Sequence, residues 1–152
     1  MTQADSRHSQ SSIQTLSLPQ SASFGLAKPQ GEIEAAVCDA ISCFEREFMG
    51  RGPRDIETRL VGDLILVRLH GVLTAAEQQL VKTLPSERGR DLLKQVRTQL
   101  VETARPFLEK VLEEITDTQV LSLHHDISTV TGEEIMIFTL HDVPHFRQSK
   151  KR

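Results

Sequence analysis

The chain has 152 residues, 38% of them hydrophobic and 26% charged, with a net charge of −3 at neutral pH. That length suits one domain. No run of about 20 apolar residues occurs, so neither a transmembrane helix nor direct membrane insertion is expected. Two cysteines cannot build a disulfide framework, and a pI near 6.1 lacks the basic charge that non-specific nucleic-acid binding draws on.

Residues 1–31 are dense in Ser and Gln, carry only Asp5, Arg7 and Lys28 as charges, and contain Pro19 and Pro29. Such a composition buries too little apolar surface to offset its ordering entropy, which predicts a disordered leader. It also lacks the basic start and apolar core of a secretory signal. Ile13, Leu16, Leu18, Phe24 and Leu26 leave a docking segment as the alternative. The folded domain is placed at residues 32–143, and a basic flexible tail follows at 144–152 with Arg147, Lys150, Lys151 and Arg152.

Within the domain, Ile33, Val37, Ala40, Ile41, Phe44 and Phe48 recur at helical spacing, and Gly50-Arg51-Gly52-Pro53 ends that helix. Ile56 to Val61 and Leu64 to His70 read as strands joined by the two-residue turn Gly62-Asp63. Thr74 and Glu77 form a capping box for a short helix that stops at Leu84-Pro85. A long helix follows from Glu87 to Ile115, with Ser86 as its cap. Its stripe is Leu93, Val96, Leu100, Ala104, Phe107, Val111 and Ile115, and Leu92, Val101, Leu108 and Leu112 widen it to about half the circumference, enough to cover a sheet and still meet a partner helix. Pro106 predicts a kink near Glu102–Arg105. Thr118 to Ile127 and Glu133 to Leu140 form a second hairpin. Two hairpins and intervening helices give an α+β fold: a four-stranded antiparallel sheet with helices packed on one face.

Polar residues that interrupt apolar strands or occupy turns are the candidates for binding: Arg51, Arg54, Arg68, His70, His124 and Asp126. Arg51 and Arg54 beside two glycines could approach an anion, but they follow a helix C-terminus, whose partial negative charge opposes one. His124 and Asp126 share a strand face, and with His70 they would make a zinc-type donor set. No HExxH or CxxC pair accompanies them, so solvent-facing histidines are the preferred reading and no metal or cofactor is expected. The Asp126-Ile127-Ser128-Thr129 stretch has hydroxyls near histidines but no G-x-S-x-G elbow. No catalytic residue is assigned. With no Trp or Tyr, a base-stacking platform and a nucleic-acid partner are not expected.

Gly50-Arg51-Gly52-Pro53, Leu64-Ile65-Leu66-Val67-Arg68-Leu69, Gly71-Val72-Leu73-Thr74-Ala75-Ala76-Glu77, the helix through Arg105, Asp126-Ile127-Ser128-Thr129 and Thr131-Gly132-Glu133 occur in that order. The set resembles a family of small bacterial proteins named after the third component of the sodium-translocating membrane-potential-generating system, the MpsC-like family, over about Ile33 to Leu140. The resemblance implies a cytoplasmic protein linked to systems that move cations or inorganic carbon across membranes, and it brings no catalytic residues. The expectation is a non-catalytic accessory or regulatory protein whose partner is an integral membrane transport subunit. A homodimer is expected because Leu64 and Leu66 make the second sheet face too apolar to stay wet. The alternatives are a homodimeric domain sensing a small ligand or anion, and a metal-dependent enzyme at His124 and Asp126.

Overall fold

A computed structural model describes residues 27–147. The apolar leader residues Ile13, Leu16, Leu18, Phe24 and Leu26, and the basic residues Lys150, Lys151 and Arg152, lie outside the described residues. The element order is α1 (Gln30–Glu47), β1 (Asp55–Val61), β2 (Leu64–His70), α2 (Ala75–Thr83), α3 (Ser86–Thr116), β3 (Val120–Ile127) and β4 (Glu134–Leu140). The strands form one antiparallel sheet in the order β1-β2-β4-β3, so the two hairpins meet along β2 and β4. This is the α+β architecture of two hairpins with helices on one face; α1 packs beneath β1 and α3 beneath β3.

Strand alternation divides the sheet residues into two sets. Ile65, Val67 and Leu69 on β2 and Met136, Phe138 and Leu140 on β4 point into the core. They meet Ile33, Val37, Ile41 and Phe44 from α1 and Leu93, Val101, Leu108 and Leu112 from α3. Full burial of each such side chain stabilises by about 1.5–3 kcal/mol. The capping box at Thr74 and Glu77 is formed in both directions, which fixes where α2 begins. Gly89 lets α3 approach α2, because a Cβ there would lie 3.0 Å from the Leu80 carbonyl oxygen.

The long helix differs from expectation in two respects. Ser86 is its first helical residue, and the cap position belongs to Pro85, whose side chain makes no capping bond. Its buried stripe is Leu93, Arg97, Val101, Ala104, Leu108 and Leu112, while Val96, Leu100 and Phe107 are exposed. Periodicity marked an apolar face wider than the sheet alone requires; in the fold, the seam facing the sheet takes Leu93, Val101, Leu108 and Leu112 and leaves these three outside it. The helix continues through Pro106, which is exposed. At the C-terminal end the chain packs back beyond β4. Pro144 is buried, Phe146 rests on the core, and the Arg147 N–H donates to the Lys28 carbonyl at 3.0 Å.

Candidate functional site

The sheet face away from the helices carries Leu64, Leu66, Arg68 and His70 from β2, Ile135, Ile137 and Thr139 from β4, and His124 and Asp126 from β3. Strand register sorts these residues into rows. One runs Arg59, Leu66, Ile137, His124, and the next runs Glu57, Arg68, Ile135, Asp126. Leu64, Leu66, Ile135 and Ile137 are each only partly buried, and no described element crosses them. The face is thus an apolar centre with charged and polar edges.

Four of the six residues singled out from sequence, Arg68, His70, His124 and Asp126, are brought to this face. Arg68 donates from Nε and Nη2 to Glu133 Oε2, both at 2.8 Å, and His70 Nε2 lies 3.8 Å from the same oxygen. Lys94 reaches from α3 to Asp126 Oδ1 at 2.9 Å. That hydrogen bond holds the Asp126 carboxyl below its ordinary range. His124 stands opposite Ile137 with its side chain exposed. Arg51 and Arg54 lie elsewhere, in the turn before β1. Their backbone N–H groups donate to the Glu45 and His70 carbonyls, and their guanidinium groups have no ion pair among the described residues. Among the described residues no three His, Cys, Asp or Glu side chains gather as a metal cage.

Two concavities stand out, of which only the first borders this face. One of about 330 Å³ at the end of β3 is lined by Arg90, Lys94, Asp126, Ser128, Thr129 and Glu133, and both of its cations already bond carboxylates, Arg90 to Asp91 and Lys94 to Asp126. The other, about 580 Å³, lies between α1 and α3 and is apolar, with Phe44, Phe48, Phe107 and Val111 in its wall.

Beneath the sheet lies a charge cluster that the sequence reading did not single out. Arg97 Nη2 is 3.0 Å from Glu134 Oε2 and 3.3 Å from Glu45 Oε2, and Nη1 is 3.0 Å from Glu77 Oε2. His125 Nε2 is 2.5 Å from Glu134 Oε1. The Glu77 side chain, which also serves the α2 capping box, is 19% exposed; those of Arg97, Glu45 and Glu134 are 1% or less. Glu45 Oε1, Arg97 Nε and His125 Nδ1 have no hydrogen-bond partner among the described residues. Burial, and then the charge of Glu134, push Glu45 up to about 8 against the opposing pull of Arg97. Glu45 therefore carries a proton at neutral pH, leaving one guanidinium between two carboxylates. A sequence signal existed for all four core positions. Glu45 follows Ile33, Val37 and Ile41 at four-residue steps, Arg97 sits between Leu93 and Val101, Glu134 alternates with Met136 and Phe138, and His125 lies between Leu123 and Ile127. Charged or polar residues at core-facing steps require partners.

At the start of β4 the two features stand back to back. Glu133 faces outward to Arg68 and Glu134 inward to Arg97. The position of the outer rim is therefore tied to a buried ionic anchor that joins α1, α2, α3, β3 and β4.

The chain is thus a two-layer α+β protein with one sheet face that no described element covers and an ion cluster buried beneath it. Residues 29–142 match the family described as "Na+-translocating membrane potential-generating system (MpsC)", and the chain belongs to that family. It is 36% identical over 115 residues to the uncharacterized protein YbcI of Bacillus subtilis (strain 168), covering 76% of this chain and 90% of that one. It is 27% identical over 101 residues to the uncharacterized protein YrhF of the same organism, covering 66% and 80%. No solved structure matches the chain significantly.

Proposed function

We propose that this protein is a non-catalytic cytoplasmic accessory or regulatory subunit of a membrane system that moves cations or inorganic carbon, and that it docks on a membrane subunit through its uncovered sheet face. The observation that carries this reading is the face itself: Leu64, Leu66, Ile135 and Ile137 form an apolar centre with charged and polar residues at the ends of their rows, the composition of a recognition surface with a polar rim. Membership in a family named for sodium translocation supports the transport association. No described helix is long and apolar enough to cross a membrane, so the transport path would belong to a partner.

Affinity capture from native membranes of the source organism tests the proposal. The full chain should retain an integral membrane transport subunit. Leu66→Glu, which places a charge in the apolar centre without touching the core, should reduce its recovery at least about 10-fold. Equal recovery by wild type and a folded Leu66→Glu variant would remove the sheet face as the docking surface. Recovery of no transport subunit by the wild type would count against the accessory role.

A further inference from the structure

Among the described residues, the outer side of α3 carries a second unpartnered apolar stripe: Leu92, Val96, Leu100 and Phe107 are 41%, 44%, 36% and 60% exposed. Thr103 and the partly buried Val111 complete it. The positions 92, 96, 100, 103, 107 and 111 are separated by steps of 4, 4, 3, 4 and 4, a series that reads the same in both directions along the helix. Reversing the helix about its midpoint between Val101 and Glu102 therefore superimposes the stripe on itself. Such self-complementarity is what a two-fold interface requires, where each residue pairs with its reversed counterpart.

We infer that a second copy of this chain packs antiparallel along α3. Leu92 of one copy then meets Val111 of the other, Val96 meets Phe107, and Leu100 meets Thr103. The shape on the two halves of the helix differs in the required way. The N-terminal half presents Leu92 and Val96 as protruding side chains, and the C-terminal half borders the apolar groove of about 580 Å³ between α1 and α3. Antiparallel pairing seats the protruding pair of each copy at the mouth of the other's groove, beside Phe48 and Phe107, and does so twice. Charge runs the same way. Arg88, Arg90 and Lys94 outnumber Glu87 and Asp91 at the N-terminal end, while Glu102, Glu109, Glu113 and Glu114 outnumber Arg105 and Lys110 at the other. Reversal brings the basic end of one helix to the acidic end of its partner, and it also opposes the two helix dipoles. The seam from residue 92 to 111 is about 28 Å long at 1.5 Å per residue. It leaves the uncovered sheet face free, so it stands whether or not that face docks a transport subunit.

Sedimentation equilibrium of the full chain should show a dimer. Val96→Glu and Phe107→Glu, both at exposed positions, should each raise its dissociation constant at least about 30-fold, with far-ultraviolet circular dichroism unchanged. Orientation is read by disulfide cross-linking in a Cys38→Ser, Cys43→Ser background. An equimolar mixture of Leu100→Cys and Thr103→Cys chains should form well over twice as much mixed disulfide as either chain forms with itself, twofold being the ratio that random pairing gives. A wild-type chain that stays monomeric at about 100 μM overturns the inference. So does a dimer that withstands both glutamate variants but falls apart with Leu66→Glu, since the sheet face would then be the contact. Preferential linkage of Leu100→Cys to itself would refute the antiparallel arrangement.

Discussion

Arg97 lies between the Glu77 and Glu134 carboxylates and beside the protonated Glu45, and its environment dictates what its loss would do. With Arg97→Met, the Glu134 carboxylate stays buried without its guanidinium partner, a situation that typically costs about 3–5 kcal/mol. Arg97→Lys should recover only part of this, because an ammonium is a point donor and the guanidinium reaches its three partners from two separate nitrogens. Urea denaturation of the two variants checks both statements, and an Arg97→Met midpoint close to wild type would mean that the cluster is not ionic. Glu45 adds a pH dependence. Its carboxyl is raised from 4.5 to about 8 in the fold. Between those values the folded protein holds a proton that the unfolded chain has released. The contribution is thus complete below about pH 4.5, declines as pH rises through 8, and is gone above it, a change on the order of a few kcal/mol. Glu45→Gln keeps a neutral side chain throughout. Its stability relative to wild type should therefore grow from pH 5 to pH 9, and parallel stability curves for the two proteins would disprove the assignment.

At the scale of elements, turns and caps were readable because their causes are local. Gly50 lies beyond α1 with φ 93°, Gly62 opens the β1–β2 turn with φ 61°, and Thr74 caps α2. The two turn glycines following β1 and β2 nevertheless differ in surroundings. An added Cβ on Gly71, at φ 69°, would lie 2.7 Å from the Arg54 Cβ, whereas one on Gly62 would meet nothing within 4 Å. Gly62→Ala should then cost only the left-handed backbone penalty, roughly 1–2 kcal/mol. Gly71→Ala should cost more, as the same penalty is joined by a clash with the chain entering β1. Thermal or urea unfolding of the pair gives the order, and a reversed order would show that the Gly71 turn relaxes freely. The long helix was legible as a helix but not in its orientation. Apolar residues occupy about half its circumference, and nothing within the helix says which part faces the sheet. Burial of Arg97 beside Leu93 and Val101 shows that the chosen side is the one where the other elements supply carboxylates.

At the scale of the molecule, no described element covers one face of the sheet or one stripe of α3, and the two lie on different sides of the fold. Two surfaces can therefore be tested independently. Leu66→Glu should impair partner capture and leave the dimer intact, while Val96→Glu should do the reverse. A single variant that abolishes both would indicate one shared interface. The surface pairs around the sheet face, Arg68 with Glu133 and Lys94 with Asp126, contribute under about 1 kcal/mol each to stability and so are free to exchange partners on docking.

The sequence by itself determined the elements, both hairpins, the fold class and the presence on one strand face of Arg68 and His70, and on another of His124 and Asp126. All of these follow from periods of 2 and 3.6 and from turn chemistry within a few residues. Only the tertiary structure decided that β2 and β4 lie side by side, placing those four residues on one surface. It alone also decided that Glu45, Glu77, Arg97, His125 and Glu134, drawn from five elements, share one site. Charges so distant in the chain are brought together by strand order and helix docking, which are set by the packing of the entire core.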